Sequence, residues 1–268
     1  MSGKKKFNLI LSLGGSCFAA HNIQYRNLRY CSMPFDWFFI RSEVPIIRLA
    51  ECFKNDFKDF MKQENLVELV GDERGDDNNG HYQYKDTYSE YRTIHAFNKP
   101  ATDNNEYKRV KKVIDKRINR MYKLLQKSKS VMLVLDSRCD VHFETLLNLK
   151  NIIKEKFNIE HIEIHHIQFG ANENMNDCND DIYMYKVARN LNNYDISKTN
   201  YEWNFLDDIE LESLFAYKIK LFNIELLKID RIKKGFSFYF LSRMNTLFRI
   251  QMYILGLRFD ICLGKVRS

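Results

Sequence analysis

The chain has 268 residues, a length that fits one large α/β domain or a core with a subdomain. Hydrophobic residues make up 45% and aromatic residues 14%, with only ten glycines and three prolines, which excludes a disordered, collagen-like or low-complexity protein. The net charge is +7, but residues 106–129 and 217–268 are basic whereas residues 171–216 are acidic. This zoning predicts faces of opposite charge and argues against a nucleic-acid-binding surface.

The first part of the chain predicts a strand, a glycine turn and a helix. Residues 6–13 are an apolar run typical of a buried strand, residues 14–16 form a tight turn, and a helix is expected to begin at or just after Cys17. Residues 29–39 follow as a loop rich in aromatic side chains, and residues 43–62 carry apolar side chains at helical spacing.

The middle of the chain predicts a layered α/β fold. Residues 71–105 are polar and are expected to be a long irregular region, which is where functional sites commonly form. Residues 106–127 predict an amphipathic helix, residues 129–136 a strand, residues 142–157 a helix and residues 162–169 a strand. This alternation predicts a mostly parallel central sheet with flanking helices.

The last hundred residues differ in composition from the rest. Residues 171–212 are acidic and predict loops with a short strand, whereas residues 213–262 are apolar and basic and predict a helical segment. Its uncharged runs are too short to span a membrane. We expect a core helix or, alternatively, a helix lying on an anionic membrane surface. The overall prediction is a single domain over residues 1–268, with the site in residues 1–170.

The cysteine pattern and the motif content exclude several classes of site. The six cysteines never form Cys-x-x-Cys, so zinc ribbons and thioredoxin-like redox chemistry are unsupported. The basic start is followed by too short an apolar run for a secretory signal, which predicts a cytoplasmic protein with reduced thiols. The chain contains neither G-x-G-x-x-G nor a Walker loop, and no cofactor or metal is predicted.

The turn before Cys17 is the sharpest functional signal. A thiol at the start of a helix lies beside unpaired N–H groups and the positive end of the helix dipole, which predicts a lowered pKa. The same N–H groups can hold an oxyanion. Gly14, Gly15 and Ser16 are predicted to bind substrate, because glycine lets a ligand approach the backbone closely. The alternative is a packing or phosphate-binding turn with a buried, inert cysteine.

A cysteine nucleophile needs a base, and His95 is the preferred candidate because it ends the irregular region. His21 follows Cys17 by one helical turn, but its side chain is expected to point along the helix. Residues 161–165 alternate His, Glu and His on one strand face, which hints at a metal. Nothing nearby completes a ligand set, and a solvated strand face explains the pattern as well.

Two carboxylates complete the candidate set. Asp136 ends a predicted strand and could orient a histidine as the third member of a triad; the alternative is helix capping and an ion pair with Arg138. Asp36 stands among bulky aromatic residues and must find hydrogen bonds. It is expected to cap a helix at 37–41 or to line a pocket with Trp37.

Residues 12–20, residues 28–29 and the run Met33-Pro-Phe-Asp-Trp37 resemble a bacterial family of unknown function described as papain-like cysteine peptidases. The resemblance implies that Cys17 is the nucleophile and that His95 is the base. It implies that Asp36 and Trp37 are the family's hallmark and, less closely, that Asp136 fills the position after the strand. Family turns are expected to read Gly-Ser-Asn-Cys, whereas here Gly15-Ser16 precede the cysteine.

A second resemblance is to a group related to the SGNH esterases, since residues 15–19 read Gly-Ser-Cys-Phe-Ala, the signature of that group. In those enzymes the serine attacks. The strand, turn and helix fit the flavodoxin-like sandwich of those esterases as well as they fit papain. In typical papain folds the nucleophile opens a long helix without a preceding core strand, so the first strand counts against a strict papain topology. However, no histidine follows His166, so the late Asp-x-x-His of an esterase is missing.

The sequence therefore predicts a cysteine hydrolase or acyl-transfer enzyme acting on a peptide, acyl or glycan substrate. The aromatic residues of the loop, Phe35, Trp37, Phe38 and Phe39, are expected to wall its pocket. One alternative is a serine esterase that acts on glycan or lipid through Ser16. Another is a non-enzymatic module whose basic helix and turn bind an anionic glycan or phosphate. The family resemblance also suggests surface-polysaccharide biosynthesis as the setting.

Overall fold

The computed structural model describes residues 4–74, 80–188 and 201–212, together with the backbone of residues 248–254 and 257–263. The chain divides into two compact units, Met1–Leu211 and Glu212–Ser268. The prediction of a single domain therefore stays a prediction. No helix among the described residues is long and apolar enough to cross a membrane.

The described elements follow one another along the chain as strands, four α-helices and short 3₁₀ turns. The strands are β1 (Lys5–Phe7), β2 (Leu9–Ser12), β3 (Phe38–Phe39), β4 (Leu66–Glu68), β5 (Tyr82–Asp86), β6 (Arg92–Phe97), β7 (Ser130–Ser137), β8 (His161–Phe169), β9 (Met175–Asn179), β10 (Ile182–Val187), β11 (Ile209–Leu211), β12 (Phe248–Ile254) and β13 (Leu257–Leu263). The helices are α1 (Cys17–Tyr25), α2 (Val44–Lys54), α3 (Asn104–Leu125) and α4 (Phe143–Phe157). The 3₁₀ turns are Gln63–Asn65, Gly71–Glu73 and Tyr201–Asp208.

The main sheet has the strand order β2-β7-β8-β10-β9, in which the first four strands are parallel and β9 is antiparallel to β10. Strands β7 and β8 are buried along almost their whole length, as expected for parallel strands covered on both faces. A mixed α/β fold with a mostly parallel sheet is therefore confirmed, and so is the strand that precedes the Cys17 turn.

Helices cover the main sheet in two groups. Phe18 and Ile23 of α1 pack with Val134 of β7 in a core cluster that also contains Trp203 of the 3₁₀ turn Tyr201–Asp208. A second group joins the other three helices through the Phe53 ring of α2, which contacts Tyr122 of α3 and Phe157 of α4. Helix α3 also has the predicted apolar stripe, and the Asp103 carboxylate caps its first turn.

A small antiparallel sheet, in the order β3-β6-β5-β4, occupies the region predicted to be irregular. The prediction was wrong for β5 and β6, in which polar side chains such as Gln83 and Thr93 are buried beside apolar ones. This sheet adjoins the main sheet at the glycine turn. Gly15 N–H donates to the Phe38 carbonyl (3.1 Å), and Ile40 N–H donates to the Gly15 carbonyl (3.3 Å).

Two helical predictions also need correction. Helix α2 ends at Lys54 rather than at residue 62, because the backbone turns into the left-handed region at Asp56 and Phe57. In the second unit, β12 pairs antiparallel with β13 where a helical segment was predicted. The rest of that segment, residues 213–247, lies outside the described residues. The membrane contact predicted for this segment therefore stays a prediction.

Candidate active site

The predicted nucleophile lies at the carboxyl edge of the main sheet. Cys17 is the first residue of α1, which follows β2 after the glycine turn, and its side chain is half-buried. Asp136 lies near the end of β7, the strand next to β2. Ligands of parallel α/β sheets commonly bind at this edge. The structure thus brings Cys17 and Asp136 into one place, as predicted.

Asp136 caps helix α1 from the neighbouring strand. The Ser16 hydroxyl donates to the Asp136 carboxylate, and the N–H groups of Ser16 (3.3 Å) and Ala19 (3.4 Å) donate to Asp136 Oδ1. Phe18 N–H in turn donates to Ser16 Oγ at 3.1 Å. Asp136 is fully buried, and burial raises the pKa of its carboxyl group to about 6 against the effect of these donors. Capping was the alternative interpretation of this residue.

This arrangement reverses the predicted electrostatics of the thiol. Burial, together with the negative charge of Asp136, raises the pKa of Cys17 to about 11, and only the N–H of Cys17 itself opposes the shift. The prediction of a lowered pKa was wrong, because burial disfavours the thiolate and, in addition, a carboxylate already occupies the positive end of the helix dipole. The thiol is therefore protonated at neutral pH, and attack requires a base that removes its proton.

The two glycines of the turn allow neighbouring backbone segments of the protein to pack closely. A Cβ on Gly15 would lie 1.4 Å from the Asp136 carbonyl oxygen, and one on Gly14 would lie 3.0 Å from the Phe38 carbonyl oxygen. Both glycines are buried and have positive φ. That space is filled by backbone and is not open to a substrate. Ser16 is also buried, with its hydroxyl engaged by Asp136 and Phe18.

His95 lies on β6 in the small sheet, not in a loop. Its exposed side chain contacts Phe39 edge-on, with the two ring centroids 6.5 Å apart, and Phe39 forms a backbone bridge with Gly15. His95 is thus linked to the Cys17 turn through one intervening residue. Within the described residues, the hydrogen bonds of Asp136 go to Ser16 and to α1 N–H groups, so Asp136 does not orient His95 in this structure.

His21 shares a face of α1 with Cys17 and is half-buried. Its ring contacts Trp37 edge-on, with centroids 5.3 Å apart. Burial, and then the charge of Arg29, lowers the pKa of His21. A neutral imidazole at pH 7 is able to accept a proton, so His21 is a second candidate base beside His95.

The aromatic loop 29–39 holds a buried ion pair. Asp36 pairs with Arg29 and also accepts the Met33 N–H at 2.8 Å. Residues 38–39 are a strand, so the prediction that Asp36 caps a helix at 37–41 was wrong. Arg29 and Asp36 are the only charged residues of the loop, and a buried carboxylate needs a partner. The pairing of Arg29 with Asp36 could therefore have been predicted from the sequence.

The loop aromatics divide between core and surface. Phe35 and Phe38 are buried and contact Tyr91 and Phe60, so they belong to the core and not to a pocket wall as predicted. Trp37 is half-buried against His21 and, of the two hallmark residues, is the one with exposed surface beside the Cys17 face of α1.

Sequence reasoning missed two histidine pairs at the same edge of the sheet. Ser137 Oγ lies 2.8 Å from His166 Nε2, and burial lowers the pKa of His166 to about 4, so this imidazole is neutral. His142 Nδ1 lies 2.6 Å from Glu43 Oε2, and that contact raises the pKa of His142. Ser137 is buried, which leaves it no access to a substrate. The first pair joins two strands and the second joins the starts of two helices, so the partners are far apart in the sequence and gave no local signal.

The alternating residues of β8 form a buried network instead of a solvated face. His165 Nε2 lies 3.1 Å from Glu163 Oε2, and Lys5 Nζ lies 3.0 Å from Glu163 Oε1. The His165 ring is stacked between Tyr183 and Phe205. Although burial alone would raise it, these contacts lower the pKa of Glu163 to about 2. Among the described residues, no cluster of three or more His, Cys, Asp or Glu side chains could hold a metal ion.

Comparison with known proteins gives one family. The family model described as "Putative papain-like cysteine peptidase (DUF1796)" matches residues 8–169, which include Cys17, Asp36, His95 and Asp136. No curated protein and no solved structure matches the chain.

Proposed function

This chain belongs to the DUF1796 family of papain-like cysteine peptidases, and on that premise we propose that it is a cysteine-dependent hydrolase or acyl-transfer enzyme with Cys17 as nucleophile. The observation that supports the proposal best is the position of Cys17, a half-buried thiol at the first residue of a helix on the carboxyl edge of a parallel sheet. Its neighbour Ser16 is a poorer nucleophile, because Asp136 and Phe18 engage its hydroxyl.

In the proposed reaction a base removes the Cys17 proton while the sulfur attacks a substrate carbonyl carbon. The base then returns the proton to the leaving group as the bond to the carbonyl carbon breaks. Water or another acceptor finally cleaves the thioester. Since burial and Asp136 raise the pKa of Cys17, thiolate is scarce before substrate binds, and proton removal has to accompany attack.

The turn also suggests where a tetrahedral oxyanion would be held. The N–H groups of Gly15, Ser16, Phe18 and Ala19 already donate to oxygens of the chain. The Cys17 N–H faces its own sulfur and, among the described residues, donates to no oxygen. It is therefore the donor available for the oxyanion. We keep His95 as the proposed base and His21 as its competitor. A peptide, acyl or glycan carbonyl in the cytoplasm remains the proposed substrate.

Acylation by p-nitrophenyl acetate tests the proposal without knowledge of the substrate. We expect a burst of p-nitrophenol and an acetyl group on Cys17, mapped by mass spectrometry, both of which are lost in Cys17→Ala. Removing the base should slow acylation by roughly 10²–10⁴-fold, in either His95→Gln or His21→Gln but not in both.

The matched control is Cys139→Ala, because Cys139 is also free and half-buried at the same edge of the sheet. This variant should keep the burst. Acetylation of Cys139 and Cys178 with Cys17 unmodified would overturn the proposal. A fluorophosphonate adduct on Ser16 that persists in Cys17→Ala would show a serine esterase instead.

A further inference from the structure

Arginine side chains from the aromatic loop and from α3 lie near the buried ion pair of that loop. Asp36 pairs with Arg29, and it also lies within electrostatic reach of Arg117 on α3. Arg120, one turn further along α3, donates to the Ser32 carbonyl of the same loop. Two guanidinium groups, those of Arg29 and Arg117, therefore act on one carboxylate, and Arg120 lies close enough to repel Arg117. Among the described residues, neither Arg117 nor Arg120 forms an ion pair.

The hydrogen-bond donors of this arginine cluster (Arg29, Arg117 and Arg120) are incompletely used. Buried Nε atoms of Arg29 and Arg120 have no hydrogen-bond partner in the described part of the chain. Arg117 is half-buried and makes no described hydrogen bond, while Arg29 and Arg120 both repel it. Buried donors and like charges without partners destabilise a fold unless something else satisfies them.

One ion pair would have been enough to satisfy Asp36. Arg29 and the Met33 N–H already serve its carboxylate, so Asp36 does not require Arg117, and Arg120 spends only part of its guanidinium on the Ser32 carbonyl. Guanidinium groups bind phosphate through paired, charge-assisted hydrogen bonds, and clusters of them are a common way to hold a dianion.

The surroundings of the cluster favour an anion as well. Exposed lysines on α3, including Lys112 and Lys116, would raise the local concentration of anions. His21 contacts the half-buried Trp37 and lies within electrostatic reach of Arg29, and burial together with the charge of Arg29 lowers its pKa. As a neutral imidazole it offers one more hydrogen bond without adding charge.

We propose that Arg29, Arg117 and Arg120 form a binding site for a phosphate group, between α3 and the loop that joins α1 to β3. The site does not depend on the proposed chemistry of Cys17. Its charge excess calls for a tetrahedral dianion, such as inorganic phosphate or a phosphate monoester, and not for a monocarboxylate.

Calorimetric titration of the full chain with inorganic phosphate, at constant ionic strength, tests the site. We expect saturable binding to one site, weakened at least tenfold in Arg117→Gln and less than threefold in Lys112→Gln, which removes the same charge from an exposed position on α3. Acetate should not bind, and Cys17→Ala should bind phosphate like the wild type. A glycerol 3-phosphate titration compares a phosphate monoester with the free ion.

Thermal unfolding gives a second readout. Without phosphate, Arg117→Gln should unfold at or above the wild-type temperature because it relieves repulsion, whereas phosphate should raise the unfolding temperature of the wild type only. Arg117→Lys keeps the charge but loses the paired donors, and it should bind with intermediate affinity. No saturable phosphate binding, or equal weakening in Arg117→Gln and Lys112→Gln, would overturn the proposal.

Discussion

Asp136 controls how easily Cys17 ionises. Its carboxylate lies at the start of α1 and disfavours a second negative charge on the neighbouring sulfur. Asp136→Asn removes that charge and should lower the pKa of Cys17, so that iodoacetamide labels Cys17 faster at pH 7 to 9. The rate is measured by mass spectrometry of the Cys17 peptide.

The control for this prediction is Asp140→Asn, which removes a carboxylate from the loop that follows β7 and not from the start of α1. It should leave the Cys17 rate unchanged. Equal acceleration in both variants would mean that overall charge, and not the Asp136 contact, governs the thiol.

The same carboxylate should shape the pH dependence of stability. Burial raises the pKa of Asp136 to about 6, so the folded state holds a proton between pH 6 and about 4 that the unfolded state has lost. The contribution of Asp136 to the free energy of unfolding therefore rises as the pH falls through 6, by on the order of 3 kcal/mol.

Urea unfolding of the wild type and Asp136→Asn at several pH values between 4 and 7 measures this contribution. The stability of the wild type relative to the variant should grow towards pH 4. A difference that stays constant, or that shrinks, would show that Asp136 is ionised throughout this range.

At the scale of the elements, the glycine turn lets the backbone that follows β2 approach β7 closely. Gly15→Ala would place a methyl group on the Asp136 carbonyl oxygen, at a φ of +105° that alanine rarely adopts. We expect a loss of more than 3 kcal/mol in the free energy of unfolding, or insoluble protein.

Gly80→Ala provides the comparison, because Gly80 also has positive φ, but no atom of the described residues lies within 4 Å of its added Cβ. This variant should lower the free energy of unfolding by only about 1 kcal/mol, which is the cost of the positive φ alone. Similar losses in the two variants, measured by urea unfolding, would contradict the close packing of β2 against β7.

The secondary structure of an element was predictable where it follows from the residues of that element alone. The apolar run of β7 and the apolar stripe of α3 correspond closely to the predicted strand and helix. Strand β6 was missed because it mixes polar and apolar residues without regular alternation inside an otherwise hydrophilic region. The shifted pKa of Cys17 was not predictable, because it depends on a residue 119 positions away that only strand pairing brings close.

At the scale of the whole molecule, the first unit depends on its last segment. Trp203 is fully buried in the core cluster with α1, and Ile209 on β11 pairs with Lys5 on β1. A fragment of residues 1–212 should therefore unfold cooperatively. A fragment of residues 1–188 lacks Trp203, whose removal alone is expected to cost about 3–5 kcal/mol.

Circular dichroism during heating distinguishes the two fragments. The longer one should show a sharp transition and the shorter one a broad transition or none. Sharp unfolding of the shorter fragment would show that the segment after β10 is dispensable, whereas a broad transition in the longer one would show that the first unit requires residues beyond 212.

The hydrogen bonds between Gly15 and the Phe38–Ile40 backbone have a mechanical consequence. They fasten the small sheet to the main sheet at the same residue pair that precedes the sulfur. The buried Tyr91 hydroxyl, which donates to the Leu13 carbonyl at 2.8 Å, adds a second tie between the two sheets. The position of the strand that carries His95 is therefore coupled to the turn that carries the thiol.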